Sequence, residues 1–181
     1  SGGWTPAVHL FTQSGGKLRF RDEDQTFIPN IYPSDQLSIG ACNGDLSLDE
    51  ILIKTPNSLK KFLNIKNTEY ENLEILSSIN KSKRNIWLLP SDKVLGKTKS
   101  FVDYQNDATA KDIKLALREG FRSIEHVKRY TTTGMGTDQG KLGNMHALGI
   151  ISETAGAKMG ELGTTTFRPP YTPLTFGTIV G

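Results

Sequence analysis

Fourteen residues between Lys128 and Lys141 combine cations, hydroxyls and glycines in a single run, KRYTTTGMGTDQGK. Glycine allows a backbone to turn sharply and to approach a ligand closely. Threonine hydroxyls and exposed amides can donate hydrogen bonds to phosphate oxygens, while lysine and arginine supply the opposite charge. The run therefore predicts an anion site, with phosphate as the favoured ligand, although it lacks the spacing of a Walker A loop.

A second segment has a similar chemistry, because three threonines precede Arg168 at 164–166 and two prolines follow it. Arginine offers a planar fork of donors that suits phosphate oxygens, and the prolines stiffen the chain behind it. Both segments also fit simpler structures. The first reads equally well as a solvated helix end with a glycine cap, and the second as a loop with a surface arginine.

Other kinds of chemistry find little support in the sequence. The histidines, His9, His126 and His146, do not have the spacing of metal ligands, and no nucleophile motif is present. Cys42 is the single cysteine and lies in an apolar stretch that predicts a buried strand, so we expect an inert core thiol. We therefore expect neither catalytic residues nor metal ligands in this chain.

Composition narrows the class of protein. A hydrophobic fraction of 36% and a charged fraction of 23% fit a soluble globular protein of 181 residues. The net charge of +3 is too small to indicate a nucleic-acid partner, and no apolar run approaches the length of a membrane span. Because the chain starts without an initiator methionine and stops after an apolar run, we expect it to be a piece of a longer polypeptide.

Short elements are predicted to carry these residues. In the first part we expect a helix at 6–11, strands at 17–20, 25–28 and 37–41, and a helix from Ser47 to about Pro56, with a second possible helix at 58–65. In the second part we expect a strand at 101–104, a helix capped by Thr109 and stopped by Gly120, and a helix capped by Ser123. A third helix at 141–154 and a stiff loop at 160–173 complete the prediction. Capping and the helix dipole explain a nearby group of aspartates, Asp103, Asp107 and Asp112.

Four long segments resemble the α subunit of heterotetrameric sarcosine oxidase. They are GGWTPAVHLFTQSGGKL at 2–18, IGACNGD at 39–45, RYTTTGMGTDQGK at 129–141 and GTTTFRPPY at 163–171. Residues 56–85 do not take part in the resemblance. It implies a cytoplasmic oxidoreductase acting on CH–NH groups with oxygen as acceptor. Its partners would be the β, γ and δ subunits and the rest of the α subunit.

The resemblance implies two cofactor contacts. Residues 1–55 would close an NAD-binding domain, with a last strand and Gly-Asp turn that place Ala41, Asp45 and Leu46 at the dinucleotide. An FMN attached covalently to the β subunit would lie at the α–β interface, while sarcosine is oxidised at an FAD on another subunit. The residues that the resemblance and the anion chemistry together assign to the FMN phosphate are Arg129, Gln139, Thr166 and Arg168, with Thr133 and Lys141 as further candidates.

The resemblance also implies an α+β fold in which residues 98–160 form a small helical domain. This domain resembles bacterioferritin-associated ferredoxin, whose iron–sulfur cluster needs four cysteine ligands. Here the cysteine positions hold Asp103, Gln105, Asp138 and Gly143. The cluster would therefore be lost, and the turn would present its amides to a flavin phosphate. Residues 56–97 would be a linker, and 161–181 a stiff connection to an aminomethyltransferase-like domain.

Three functional hypotheses remain open at this point. The chain is a cofactor-binding and subunit-docking fragment of a sarcosine oxidase α subunit, inactive on its own. Alternatively it is an assembly module whose glycine turn contacts only protein. As a third possibility it belongs to a related amine oxidase, of the opine or dimethylglycine type.

Overall fold

The protein is described from a computed structural model that covers residues 4–33, 35–66, 85–94, 97–169, 172 and 174–180. The chain divides into two compact units. We call Gly3–Asn85 the N-terminal unit and Ile86–Gly181, with Ser1–Gly2, the C-terminal unit. The proposed domain boundaries at 55, 97 and 160 stay predictions.

The N-terminal unit is built on a β-hairpin between two helices. Helix α1 spans His9–Gln13, and the antiparallel strands β1 (Lys17–Arg21) and β2 (Thr26–Ile31) follow. The hairpin places Phe20 opposite Phe27, and Phe27 is buried. Both strands confirm the sequence prediction, whereas α1 begins three residues later than the predicted start at Pro6.

The strand predicted at 37–41 is wrong. Residues 37–39 have no regular structure, and Gly40–Asn43 is a 3₁₀ helix. Gly40 has a φ of +70° and Gly44 a φ of +84°, which are values that a strand excludes and that favour glycine. Cys42 is only half-buried, so the expectation of a core thiol is wrong as well. Its thiol donates a hydrogen bond to the carbonyl of Ile39.

Helix α2 spans Leu48–Leu63 without interruption and contains Pro56. The predicted stop at Pro56 is therefore wrong, and the two predicted helices are one. Proline imposes a φ that is itself helical, and its direct effects are one missing donor and a local clash. The helix ends where Asn64 takes a left-handed φ of +54°. Residues 67–84, within the predicted linker, lie outside the described residues.

The C-terminal unit packs three helices beside a two-stranded sheet. Strands β3 (Phe101–Asp103) and β4 (Ala108–Thr109) are antiparallel and lead into α3 (Ala110–Arg118). Helices α4 (Ile124–Thr131) and α5 (Asn144–Ala155) follow, and both contact α3. The largest of the fully buried side chains in this core are Ile113, Val127, Leu148, Ile150 and Ile151.

The predicted helices of this unit are confirmed, with changed limits. Thr109 and Asp112 form a reciprocal capping box at the start of α3. Helix α5 starts at Asn144 instead of Lys141, so Leu142 lies outside the helix and is 68% exposed. The predicted loop at 160–173 is shortened by a small helix, α6 (Met159–Leu162).

After α6 the 163–169 segment has no regular secondary structure, and α7 (Phe176–Val180) ends the described chain. Among the helices of the described residues, none is both long and apolar enough to cross a bilayer.

Candidate anion site

The turn that joins α4 to α5 is hydrogen-bonded to a buried carboxylate, that of Asp103. Its Oδ1 accepts the amides of Gln105 and Asn106, both at 2.9 Å, and its Oδ2 accepts the amide of Gly134 at 2.6 Å. Burial opposes ionisation of this side chain, but these hydrogen bonds outweigh it and lower the pKa of Asp103. Asp103 is therefore a charged anchor for the turn, and helix capping does not explain it.

Two further amides of the turn are also occupied. The amide of Asp138 donates to Gln105 Oε1 at 3.0 Å, and the amide of Gly140 donates to Asp138 Oδ1 at 3.0 Å. We expected the turn to present its amides to a phosphate. For Gly134, Asp138 and Gly140 this expectation is wrong, because side chains of the protein already accept their hydrogens.

Thr133 also points into the protein. Its side chain is buried, and its hydroxyl is 2.8 Å from the hydroxyl of Thr131. Thr131 in turn donates to the carbonyl of Val127, one turn earlier in α4. The hydroxyl of Thr133 thus belongs to the end of α4 and does not face solvent.

The segment that carries Arg168 meets the last turn of α4 at Lys128. Lys128 is 8% exposed, and its Nζ donates to the carbonyl of Thr166 at 3.2 Å. Burial lowers the pKa of Lys128, Glu125 opposes this effect, and the positive charges of Arg168 and Arg129 lower the pKa further. Three cations and one carboxylate therefore act on one another at this place.

The 163–169 segment is attached to the same place by its backbone. The amide of Thr166 donates to Glu125 Oε1 at 2.7 Å, and the amide of Arg168 donates to Gln139 Oε1 at 3.1 Å. Gln139 has a left-handed φ of +51° and donates from its Nε2 to the carbonyl of Gly136. The structure thus brings Gln139, Thr166 and Arg168 together. Among the residues predicted to hold the FMN phosphate, Arg129, Thr166 and Arg168 are exposed.

Lys141 lies elsewhere along the turn. It is half-buried and lines a cleft of about 400 Å³ together with Tyr104, Asp138 and Leu142. Its assignment to the same anion as Arg168 stays a prediction.

The residues predicted to contact a dinucleotide lie in the N-terminal unit. Ala41 is exposed on the 3₁₀ helix, and Leu46 is half-buried. The Asp45 carboxylate accepts Lys54 Nζ at 2.6 Å, and this hydrogen bond is the main reason that the pKa of Lys54 is raised. Asp45 is therefore paired within the protein. The roles of Ala41, Asp45 and Leu46 at NAD stay predictions.

Sequence reasoning missed Lys128 as a site residue, although it opens the run from which the site was predicted. The available signal was Glu125, three residues earlier on the same helix, which marks Lys128 as the partner of a carboxylate. Within the described parts of the chain, no group of three or more His, Cys, Asp or Glu side chains could hold a metal ion.

Comparisons with known proteins match different lengths of the chain. Residues 97–181 match the family model of the sarcosine oxidase A3 domain. The full chain is 36% identical to the sarcosine oxidase α subunit of Rhizobium meliloti (strain 1021) and covers 18% of it. Over 40% of its length the chain is 33% identical to an opine oxidase subunit of the same organism, of which it covers 16%.

One solved structure shows a related fold. The L-proline dehydrogenase from P. horikoshii superposes with a TM-score of 0.55 over 97% of this chain and 37% of that chain, at 21% identity. This likeness supports the α+β fold, while the resemblance to bacterioferritin-associated ferredoxin stays a prediction. The chain spans 18% of the length of the R. meliloti sarcosine oxidase α subunit. Because it matches such α subunits over its own full length, the chain belongs to the sarcosine oxidase α-subunit family.

Proposed function

We propose that this chain is a cofactor-binding and subunit-docking part of a flavin-dependent amine oxidase. In this proposal Arg129, Gln139, Thr166 and Arg168, joined by Lys128, hold the FMN phosphate from the α side of an interface with the β subunit. The observation that supports it is geometric: the backbone of Thr166 is bound by Lys128 and Glu125 of α4, which holds the segment of Arg168 against the helix end that carries Arg129.

Like charges held together disfavour one another unless an anion lies between them. Four charged side chains act on one another at the end of α4: Glu125, Lys128, Arg129 and Arg168. Glu125 is the one negative side chain among them, and its Oε1 already accepts a hydrogen bond from the amide of Thr166. A phosphate monoester carries a charge of about −1.5 to −2 near neutral pH, which offsets the remaining positive charge. Arg129 and Arg168 are exposed and can each present a fork of donors to it.

The wider proposal follows from the family. The complete α subunit would bind NAD with Ala41, Asp45 and Leu46 and would join β, γ and δ subunits in a cytoplasmic heterotetramer that oxidises sarcosine with oxygen. The helical part would keep a ferredoxin-like scaffold without an iron–sulfur cluster. The name of the R. meliloti relative supports the proposed partner subunits, since an α subunit has other subunits for partners.

The test is Arg168→Ala in the complete α subunit produced together with its partner subunits. Removing a charged hydrogen-bond donor costs about 1.5–3 kcal/mol, so we expect the noncovalent FMN affinity that precedes attachment to the β subunit to fall about 10- to 100-fold. The attached FMN per complex is measured from the flavin absorbance that stays with the protein after denaturation has released the FAD. Arg118→Ala is the matched control, because Arg118 is 77% exposed at the end of α3 and is absent from the charges acting on Lys128.

A full complement of FMN in both Arg168→Ala and Arg129→Ala complexes would remove the proposed site. Loss of FMN in the Arg118→Ala complex to the same extent would show that the loss is not specific.

A second candidate is supported by the occupied amides of the turn. Because Asp103, Gln105 and Asp138 accept the hydrogens of Gly134, Asp138 and Gly140, much of this turn fits a role in protein assembly without any nucleotide. A third candidate, a related amine oxidase of the opine type, is supported by the similarity of 40% of the chain to an opine oxidase subunit. Intact assembly of the subunits in a complex that never binds FMN would support the assembly module.

A further inference from the structure

The side chain of Asn144, the first residue of α5, joins three parts of the C-terminal unit. Its Nδ2 donates to Thr165 Oγ1 at 2.8 Å and to the carbonyl of Gln139 at 3.3 Å. Its backbone amide donates to the carbonyl of Gly140 at 2.9 Å. One residue therefore links the glycine turn, helix α5 and the 163–169 segment.

The glycines of the turn leave the space that Asn144 occupies. A Cβ at Gly134 or at Gly140 would collide with the Asn144 carboxamide, so neither position accepts a side chain while Asn144 stays in place. Both glycines also have left-handed φ values, of +73° and +72°. These glycines make room for an internal amide, a role that differs from the close approach to a ligand that their pattern suggested.

The hydrogen bond to Asn144 has a direct consequence for the cations. Thr165 is buried. The carbonyl of the next residue, Thr166, accepts a hydrogen bond from Lys128 Nζ, and the amide of Thr166 donates to Glu125 Oε1. Arg168 follows two residues later, with its amide on Gln139. Asn144 therefore acts at the start of the stretch that brings Thr166 and Arg168 to Lys128 and Arg129.

We propose that Asn144 is a positioning residue of the anion site. Through Thr165 it fixes the 163–169 segment so that Thr166 and Arg168 stand beside the end of α4, and it does not contact the anion itself. This inference rests on the proposed function. It predicts that anion affinity depends on a neutral hydrogen bond between two residues that carry no charge.

The experiment uses the complete α subunit with its partner subunits, prepared from riboflavin-limited cells so that the FMN site is empty. It measures the noncovalent binding of added FMN that precedes attachment to the β subunit. Thr165→Val removes the acceptor for Asn144 with little change of shape, and Thr165→Ser keeps it. We expect FMN affinity to fall about fivefold in Thr165→Val, as for the loss of one buried hydrogen bond, and to remain near the wild-type value in Thr165→Ser. In Asn144→Ala the FMN affinity should fall at least as far. Combining this substitution with Thr165→Val should lower the affinity little further, because the two substitutions remove the same interaction.

Two measurements separate positioning from a general loss of stability. Affinities are determined well below the melting temperature of each variant, which is recorded in parallel. The salt dependence of FMN binding should stay unchanged in Thr165→Val, which keeps every cation, and should weaken in Arg168→Ala, which loses one. If the Asn144→Ala complex does not assemble, the comparison of Thr165→Val with Thr165→Ser tests the inference.

Wild-type FMN affinity in Thr165→Val, with a clear loss in Arg168→Ala, would overturn the inference and leave the proposed function intact. Wild-type affinity in both would overturn the proposed function and the inference with it.

Discussion

A buried carboxylate needs donors, and Asp103 receives them from two segments that are distant in sequence. Gln105 and Asn106 follow it directly, whereas Gly134 belongs to the turn after α4. At the residue scale this arrangement explains how the glycine turn is attached to the segment that follows β3. It also explains why an acidic residue is tolerated at a position that is 6% exposed.

Asp103→Asn should destabilise the protein by about 2 kcal/mol at neutral pH, because an amide group would then face the amide hydrogen of Gly134. The pKa of Asp103 is lowered in the folded state, so its contribution is present above the unfolded value of about 3.9 and is lost as the pH falls through the folded value. Urea unfolding at pH 7 and near pH 3 should therefore show a difference between wild type and variant that shrinks in acid.

The exposed neighbour Asp107 provides the control, because Asp107→Asn keeps a residue that tolerates its left-handed φ of +53°. Equal losses of stability in the two variants at pH 7 would contradict the special role of Asp103.

Residue types allowed part of the site to be predicted. Cations and hydroxyls near Arg129 and Arg168 indicated an anion, and the structure binds the segment that carries Arg168 to the end of α4 through Lys128. The competition for the amides could not be predicted. Asp103 lies about thirty residues before Gly134 in the chain, and nothing in the local pattern shows that its carboxylate accepts the amide hydrogen of Gly134.

At the scale of elements, local signals were reliable where hydrogen bonds are local. The capping box of Thr109 and Asp112 lies within four residues, and the sequence correctly placed the start of α3 there. The strand expected at 37–41 failed because an apolar run does not specify the positive φ of Gly40. The helix stop expected at Pro56 failed because the residues on both sides continue the helix.

Thr109→Ala should lower the free energy of unfolding by about 1 kcal/mol, since it removes the side-chain cap of α3. Ser123 is the N-cap of α4 but makes no side-chain cap hydrogen bond, so Ser123→Ala should cost clearly less. Chemical denaturation of both variants measures the difference. A Ser123→Ala loss as large as that of Thr109→Ala would contradict the capping geometry.

At the scale of the whole molecule, the chain spans 18% of the length of its R. meliloti relative. The candidate site uses residues of the C-terminal unit, and the predicted dinucleotide contacts use residues of the N-terminal unit. By our proposal, this chain holds neither cofactor unless its partners and the rest of the α subunit are present.

The 181-residue chain alone should accordingly show no oxidation of sarcosine and only weak affinity for NAD⁺. Peroxide release and isothermal calorimetry measure the two properties, and the complete α subunit with its partners is the positive control. Tight NAD⁺ binding by the chain itself would refute this dependence.

The fit between Asn144 and the two glycines beneath it has an evolutionary consequence. A mutation that places any side chain at position 134 or 140 is incompatible with the carboxamide, and loss of the carboxamide removes this collision while the strain of the left-handed φ remains. These three sites should therefore diverge as a group, so a relative with a bulkier residue at 140 is expected to have replaced Asn144 and to anchor its phosphate-facing segment by other means.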